Sequence, residues 1–162
     1  MGYITGKKTE GVHTPMTILV SACLLGENCK YSGGNNRNER VLRYISGHRV
    51  IPVCPEVEGG LPCPRKPVEW VGGRVMTRDG EDCTAAFRLG VERVCVRTAG
   101  EKIDLAILQS RSPSCGVKEI YDGSFTGVRI PGQGLLARTL AAMGVPLMDA
   151  EEVPDIGQEG AM

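Results

Sequence analysis

The feature that most constrains this chain is a threefold recurrence of a short apolar run followed by a cysteine in a polar turn. TILVS (17–21) precedes Cys23, VIPV (50–53) precedes Cys54, and LAIL (105–108) leads through Gln109-Ser110-Arg111-Ser112-Pro113-Ser114 to Cys115. Runs of four or five Val, Ile and Leu residues bounded by Gly, Pro and Ser read as buried strands. Helical patterns separate them. In 37–46, Val41, Leu42 and Ile45 share a face before Gly47. In 84–98, Ala86, Phe87, Leu89, Val91 and Val94 form a broad apolar side, with Asp82 or Thr84 available as a cap and Gly100 at the end. A last helix, 135–143, turns Leu136, Leu140 and Ala141 inward before a strand at 145–148. This alternation predicts an α/β fold: one domain, a mostly parallel sheet and helices on both faces. Ligands of such sheets collect beyond the carboxyl ends of the strands, where Cys23, Cys54 and Cys115 all fall.

The chain has seven cysteines, an odd number, and no C-x-x-C pair. Val20-Ser21-Ala22-Cys23 resembles a lipoprotein cleavage box, but the apolar run before it starts only at Met16, short of the roughly 7–15 residues an export signal needs. A cytoplasmic protein is expected, in which clustered thiols ligate or catalyse rather than form disulfides. Three thiolates suit an iron–sulfur cluster with one open iron, or zinc with a bound water, and ordinary buried cysteines would look the same in sequence. Cys29 could ligate or pack. Cys63, Cys83 and Cys95 read as small buried hydrophobes. His13, in a loose extension, and His48, at a helix–strand turn, are poor ligand candidates.

With 22 glycines and 10 prolines, loops carry much of the architecture. The Gly- and Pro-rich stretch 58–80 contains a hairpin candidate, 69–71 with 74–76 through Gly72-Gly73, expected to lie over the site as a flap. Residues 1–15 read as a loose extension, 16–153 as the domain and 154–162 as a flexible tail. A formal net charge of zero argues against a broad basic face for duplex nucleic acid. No apolar stretch approaches the roughly 20 residues of a membrane span.

Four segments, VSACLLGENCKYSGG (20–34), VIPVCPEVEGGLPCPR (50–65), ILQSRSPSCG (107–116) and IYDGSFTG (120–127), together resemble the thiouracil desulfurase family. The resemblance runs from about Thr17 to Asp149. It implies a [4Fe–4S] cluster on three cysteines, with Cys23, Cys54 and Cys115 at the matching positions and Cys29 a possible substitute. It also implies hydrolytic removal of sulfur from a thiolated uracil, its sulfur bound by the open iron, with Glu56 activating water and Ser112 donating or relaying a proton. Ser114 and Asp122 would contact the small thiolated pyrimidine, and Ser124 and Gly127 would shape a substrate loop. By charge placement alone, Lys30 and Arg111 are candidates for an anionic substrate such as a nucleoside monophosphate. The chain departs from the family pattern at Ser32, where aspartate is usual, and at Cys63, where threonine is common. The alternatives are a non-enzymatic zinc or iron–sulfur module, and a thiol-redox enzyme using Cys23 with Cys29.

Overall fold

The computed structural model describes residues 14–156, so most of the expected extension (1–15), His13 included, and 157–162 of the expected tail lie outside the described residues. In chain order the elements are β1 (Thr17–Ser21), α1 (Glu39–Ile45), β2 (Arg49–Val53), α2 (Pro55–Glu58), β3 (Val68–Val71), β4 (Arg74–Thr77), α3 (Thr84–Arg97), β5 (Leu105–Leu108), β6 (Glu119–Tyr121), β7 (Arg129–Pro131), α4 (Leu135–Ala142) and β8 (Leu147–Asp149).

Four strands form a parallel sheet in the order β2-β1-β5-β8. The chain steps from β1 to β2 on one side and returns to place β5 on the other. The winding therefore reverses between β1 and β5, and a crevice opens at their carboxyl ends. The apolar strand runs follow from burial on both faces. Leu19, Ile51, Val53, Ala106 and Leu108 pack against Val91 and Val94 of α3 and Leu136, Ala137 and Leu140 of α4. On the opposite face Ile18, Val20, Leu105 and Ile107 meet Val41 and Ile45 of α1. Ile18, Leu19, Ile107 and Leu108 are wholly buried, and each contributes roughly 1.5–3 kcal/mol. The expected single-domain, doubly covered parallel sheet is thus the observed one. Among the described residues no helix is long and apolar enough to cross a membrane.

The departures have local causes. Leu89, expected on the inner side of α3, is exposed, whereas Gly90 is buried. The stripe is narrower than the apolar pattern because the single-turn helix α2, not anticipated from the sequence, lies directly on α3. A Cβ on Gly90 would stand 1.7 Å from the Pro55 carbonyl oxygen, and one on Gly59 would stand 1.9 Å from that of Ala86. Only glycine permits this approach. The position preceding α3 is Cys83, not Asp82 or Thr84, although Asp82 Oδ1 does accept from the Thr84 amide at 2.9 Å. The 69–76 hairpin forms as β3–β4, apart from the main sheet. A second hairpin, β6–β7, has strands of three residues with no interior face, and its period was too short to read.

Candidate functional site

Each cysteine that follows a sheet strand is seated by a different local device. After β1 a 3-10 turn, Ala22–Leu25, ends at Gly26 with φ +98°, which leaves Cys23 buried. Asn36 Nδ2 donates to Cys23 Sγ at 3.4 Å, and Lys30 Nζ holds Asn36 by its Oδ1 at 3.2 Å. After β2, Cys54 opens α2, and its amide donates to Glu58 Oε2 at 3.1 Å. Arg97 anchors Glu58 through two contacts of 2.8 Å. After β5, Ser112 Oγ accepts from the amides of Ser114 (3.1 Å) and Cys115 (3.0 Å). The first turn of α4 completes that loop: Leu135 N donates to Pro113 O at 3.1 Å and Leu136 N to Ser114 O at 2.8 Å.

These devices bring Cys23, Cys54 and Cys115, with Cys29, to the wall of one cavity of about 460 Å³ at the crevice between β1 and β5. Its size is that of small-molecule sites. Cys29 lies within hydrogen-bonding reach of both Cys23 and Cys54, which holds the Cys29 proton firmly and pushes its pKa up. The same contacts lower Cys23 and Cys54 against the opposing effect of burial. Burial pushes Cys115 up to about 12, although the Ser21 and Ser114 hydroxyls oppose it. All seven cysteines are free. Among the described residues no three His, Cys, Asp or Glu side chains group tightly enough to hold a single metal ion. Four soft thiol donors from three loops around one cavity nonetheless fit a thiolate-ligated group wider than one ion.

Glu56, one position into α2, is buried beside the thiols. Its Oε2 accepts from Ser114 Oγ at 2.8 Å, and Ser114 Oγ stands 3.0 Å from Ser112 Oγ. With the Ser114 hydrogen committed to Glu56, the Ser112 hydroxyl is the donor of the second contact. The two serines and the carboxylate form a directed relay. Glu56 Oε1 pairs with Arg65 Nη2 at 2.9 Å, and Arg65 also donates to the Cys29 carbonyl at 2.9 Å. Sequence reasoning missed Arg65. It stands inside the quoted 50–65 segment, but in a Pro-rich loop no period marks its direction. Glu56 and Arg65 also border a second cavity of about 290 Å³, with Thr77, Glu81 and Cys83 on its wall.

The other sequence candidates fall as follows. Arg111 lines the larger cavity, and its guanidinium is engaged with Glu151 at 3.0 and 2.7 Å. Lys30 lines it too, holding Asn36. Asp122 is outside the lining: its Oδ1 accepts from Ser124 N at 2.9 Å and closes the turn of which Phe125 and Gly127 reach the cavity. Cys63 corrects the expectation of a buried thiol. It is exposed at the rim, 3.1 Å from Arg65 Nη1, because its loop lies outside both core faces. Cys83 and Cys95 are half-buried, Cys95 against the core on the α3–α4 side. His48 Nδ1 accepts from the Met16 amide at 2.8 Å, a structural role. The expected flap is present: Val68 and Glu69 of β3 border the cavity, and Trp70 Nε1 fastens the hairpin to Pro113 O at 2.9 Å.

Known proteins resemble this chain in sequence and in fold. The chain is 33% identical over 149 residues to the uncharacterized protein YbbK of Bacillus subtilis (strain 168), a match covering 86% of this chain and 99% of YbbK. It resembles the solved structure of the [4Fe-4S]-dependent thiouracil desulfidase TudS (DUF523Vcz) with a TM-score of 0.80 and 35% identity, over 90% of this chain and 98% of that one. The family model described as 2-thiouracil desulfurase matches residues 18–152, nearly the whole described fold and every cavity residue named above, and the chain belongs to that family.

Proposed function

We propose that the protein hydrolyses thiolated uracil, exchanging the ring C=S for C=O and releasing hydrogen sulfide, with no net electron transfer. The observation that carries this reading is the Ser112–Ser114–Glu56 relay set against a wall of thiols in one cavity. Cys23, Cys54 and Cys115 are the residues that would hold a [4Fe–4S] cluster, with Cys29 hydrogen-bonded between Cys23 and Cys54. When bound, such a cluster supplies an iron with an open position, a Lewis acid for the thiocarbonyl sulfur. Zinc suits the donor set less well, since its ligands converge at about 2.3 Å on one point and no such group exists among the described residues.

The protein's own groups then do the proton work. Arg65 and Ser114 fix the Glu56 carboxylate from two sides, leaving its remaining lone pairs for a water. Glu56 takes a proton as that water adds to the ring carbon. Once Glu56 is protonated, the Ser114 and Ser112 hydroxyls turn over and pass that proton back toward the ring. The second cavity also borders Glu56 and Arg65.

The test is anaerobic purification, iron and sulfide analysis, and addition of 4-thiouracil in ¹⁸O-water. About four irons per chain, loss of thiouracil absorption and one ¹⁸O in the uracil product are expected. Glu56→Gln should keep the iron and lose the reaction. A colourless protein that stays inert after reconstitution, or a Glu56→Gln variant of full activity, overturns the reading.

A further inference from the structure

Three aromatic residues line the cavity in a chain that has few of them. Of one tryptophan, four tyrosines and two phenylalanines in the sequence, Tyr31, Tyr121 and Phe125 line this one cavity. Phe125 is also in an unusual conformation. Among the described residues only Arg111 (φ +61°) and Phe125 (φ +58°) are non-glycine residues in the left-handed region, and both line the cavity. A bulky residue enters that region only where its surroundings impose it.

The surroundings are the neighbouring hairpin. Glu69 Oε1 accepts from the Gly123 amide at 2.9 Å and the Phe125 amide at 3.1 Å. Arg78 Nη2 donates to the Phe125 carbonyl at 3.0 Å, and its guanidinium lies 5.3 Å from the centre of the Phe125 ring. Gly123 lies so close to β3 that a Cβ there would stand 2.6 Å from the Trp70 carbonyl oxygen. The β3–β4 hairpin thus grips the 123–125 backbone, and a cation occupies one face of the ring while the ring borders the cavity. Thiols and a Lewis acid recognise the sulfur of any thiocarbonyl compound. Selection of a pyrimidine needs a group that reads the flat ring.

We propose that Phe125 is the stacking surface for the pyrimidine ring and sets the preference for planar heteroaromatic thiocarbonyls, with Glu69 and Arg78 as the positioning residues that hold it. The assignment rests on the desulfurase reading for its substrate. Base–aromatic stacking is commonly worth about tenfold in affinity or more, and an interaction present in ground and transition state alike moves KM rather than kcat.

The experiment uses the cluster-loaded enzyme and compares wild type, Phe125→Leu, Phe125→Tyr and Glu69→Ala. KM and kcat are read for 4-thiouracil, uracil affinity by calorimetry, and iron content for each. Phe125→Leu should raise KM and the uracil Kd about tenfold with kcat and iron little changed, Phe125→Tyr should match wild type, and Glu69→Ala should follow Phe125→Leu in direction. In a Glu56→Gln background, bound 4-thiouracil should lose absorbance on stacking, and adding Phe125→Leu should abolish that loss. Unchanged KM and uracil affinity in Phe125→Leu overturns the proposal, as does absence of uracil binding by wild type. A wild type that binds uracil in a Phe125-dependent way yet leaves 4-thiouracil intact supports the stacking surface while removing the desulfurase reading.

Discussion

Gly90 of α3 lies against Pro55 of α2 so closely that a methyl group on Gly90 would stand 1.7 Å from the Pro55 carbonyl oxygen. This contact sets the position of Glu56, the next residue along. Gly90→Ala must push α2 outward. A loss of about 1–3 kcal/mol is expected from overpacking, a fall of roughly 2–10 °C in Tm for a domain of this size, with reduced turnover because the carboxylate moves. Calorimetry and activity on the same preparation check both. A variant with wild-type Tm would show that the two helices can slide apart freely.

The relay makes a distinct prediction for Ser114, which is buried and contacts Glu56 Oε2 at 2.8 Å. Ser114→Ala should lower kcat by about 10²–10⁴, the span of positioned acid–base groups, with iron content intact. Ser112→Ala should do the same and also loosen the loop, since Ser112 Oγ binds two amides. Turnover unaffected by Ser114→Ala would remove the relay from the mechanism.

Arg65 and Glu56 form an ion pair with side chains only 9% and 12% exposed. Removing one partner strands the other, a loss of about 3–5 kcal/mol. Arg65→Met should therefore destabilise strongly, and Glu56→Gln added to it should recover part of the loss. Denaturant titration of the three variants measures the coupling. Additive effects would mean that the pair contributes nothing jointly.

Ligation is tested one cysteine at a time. Cys54→Ser or Cys115→Ser should lower iron and sulfide to a small fraction of wild type, because no second cysteine of the same loop lines the cavity beside either. Cys29→Ser should retain cluster, and Cys63→Ser, changing an exposed rim thiol, should leave iron unchanged. Loss of iron in Cys29→Ser would exchange its role with that of Cys23.

A pH effect follows from Asp82, whose carboxyl is held at about 2, below its ordinary 3.8, by hydrogen bonds from the Thr84 side chain and amide and from Arg74. A group whose folded pKa is depressed adds stability above its unfolded pKa and loses it as pH falls through the folded value. Asp82→Asn should thus lower Tm at neutral pH, with the difference shrinking from about pH 5 and gone by about pH 1. A Tm difference that does not change between pH 7 and pH 2 would rule out the charge as its cause.

The sheet and its main helices were legible because their signals are local. Val, Ile and Leu runs at β1, β2 and β5 mark strands buried on both faces, and helical spacing marks α1, α3 and α4. The cysteines after those strands followed at once, since a parallel sheet delivers its strand ends to one edge. Cys63 was misread because its thiol was assigned the average burial of its type, while its loop runs along the rim.

The sequence by itself therefore determined a doubly covered parallel sheet and the gathering of Cys23, Cys54 and Cys115 at one edge. Only the tertiary structure decided that Glu56 meets Ser114 across 58 positions, that Arg65 reaches the Cys29 carbonyl across 36, and that Glu69 grips Phe125 across 56. The physical reason is range. Hydrophobic period and turn chemistry act over a few residues and can be read from them, whereas a hydrogen bond between two loops exists only once strand order and the Gly59–Gly90 approach have fixed where those loops lie.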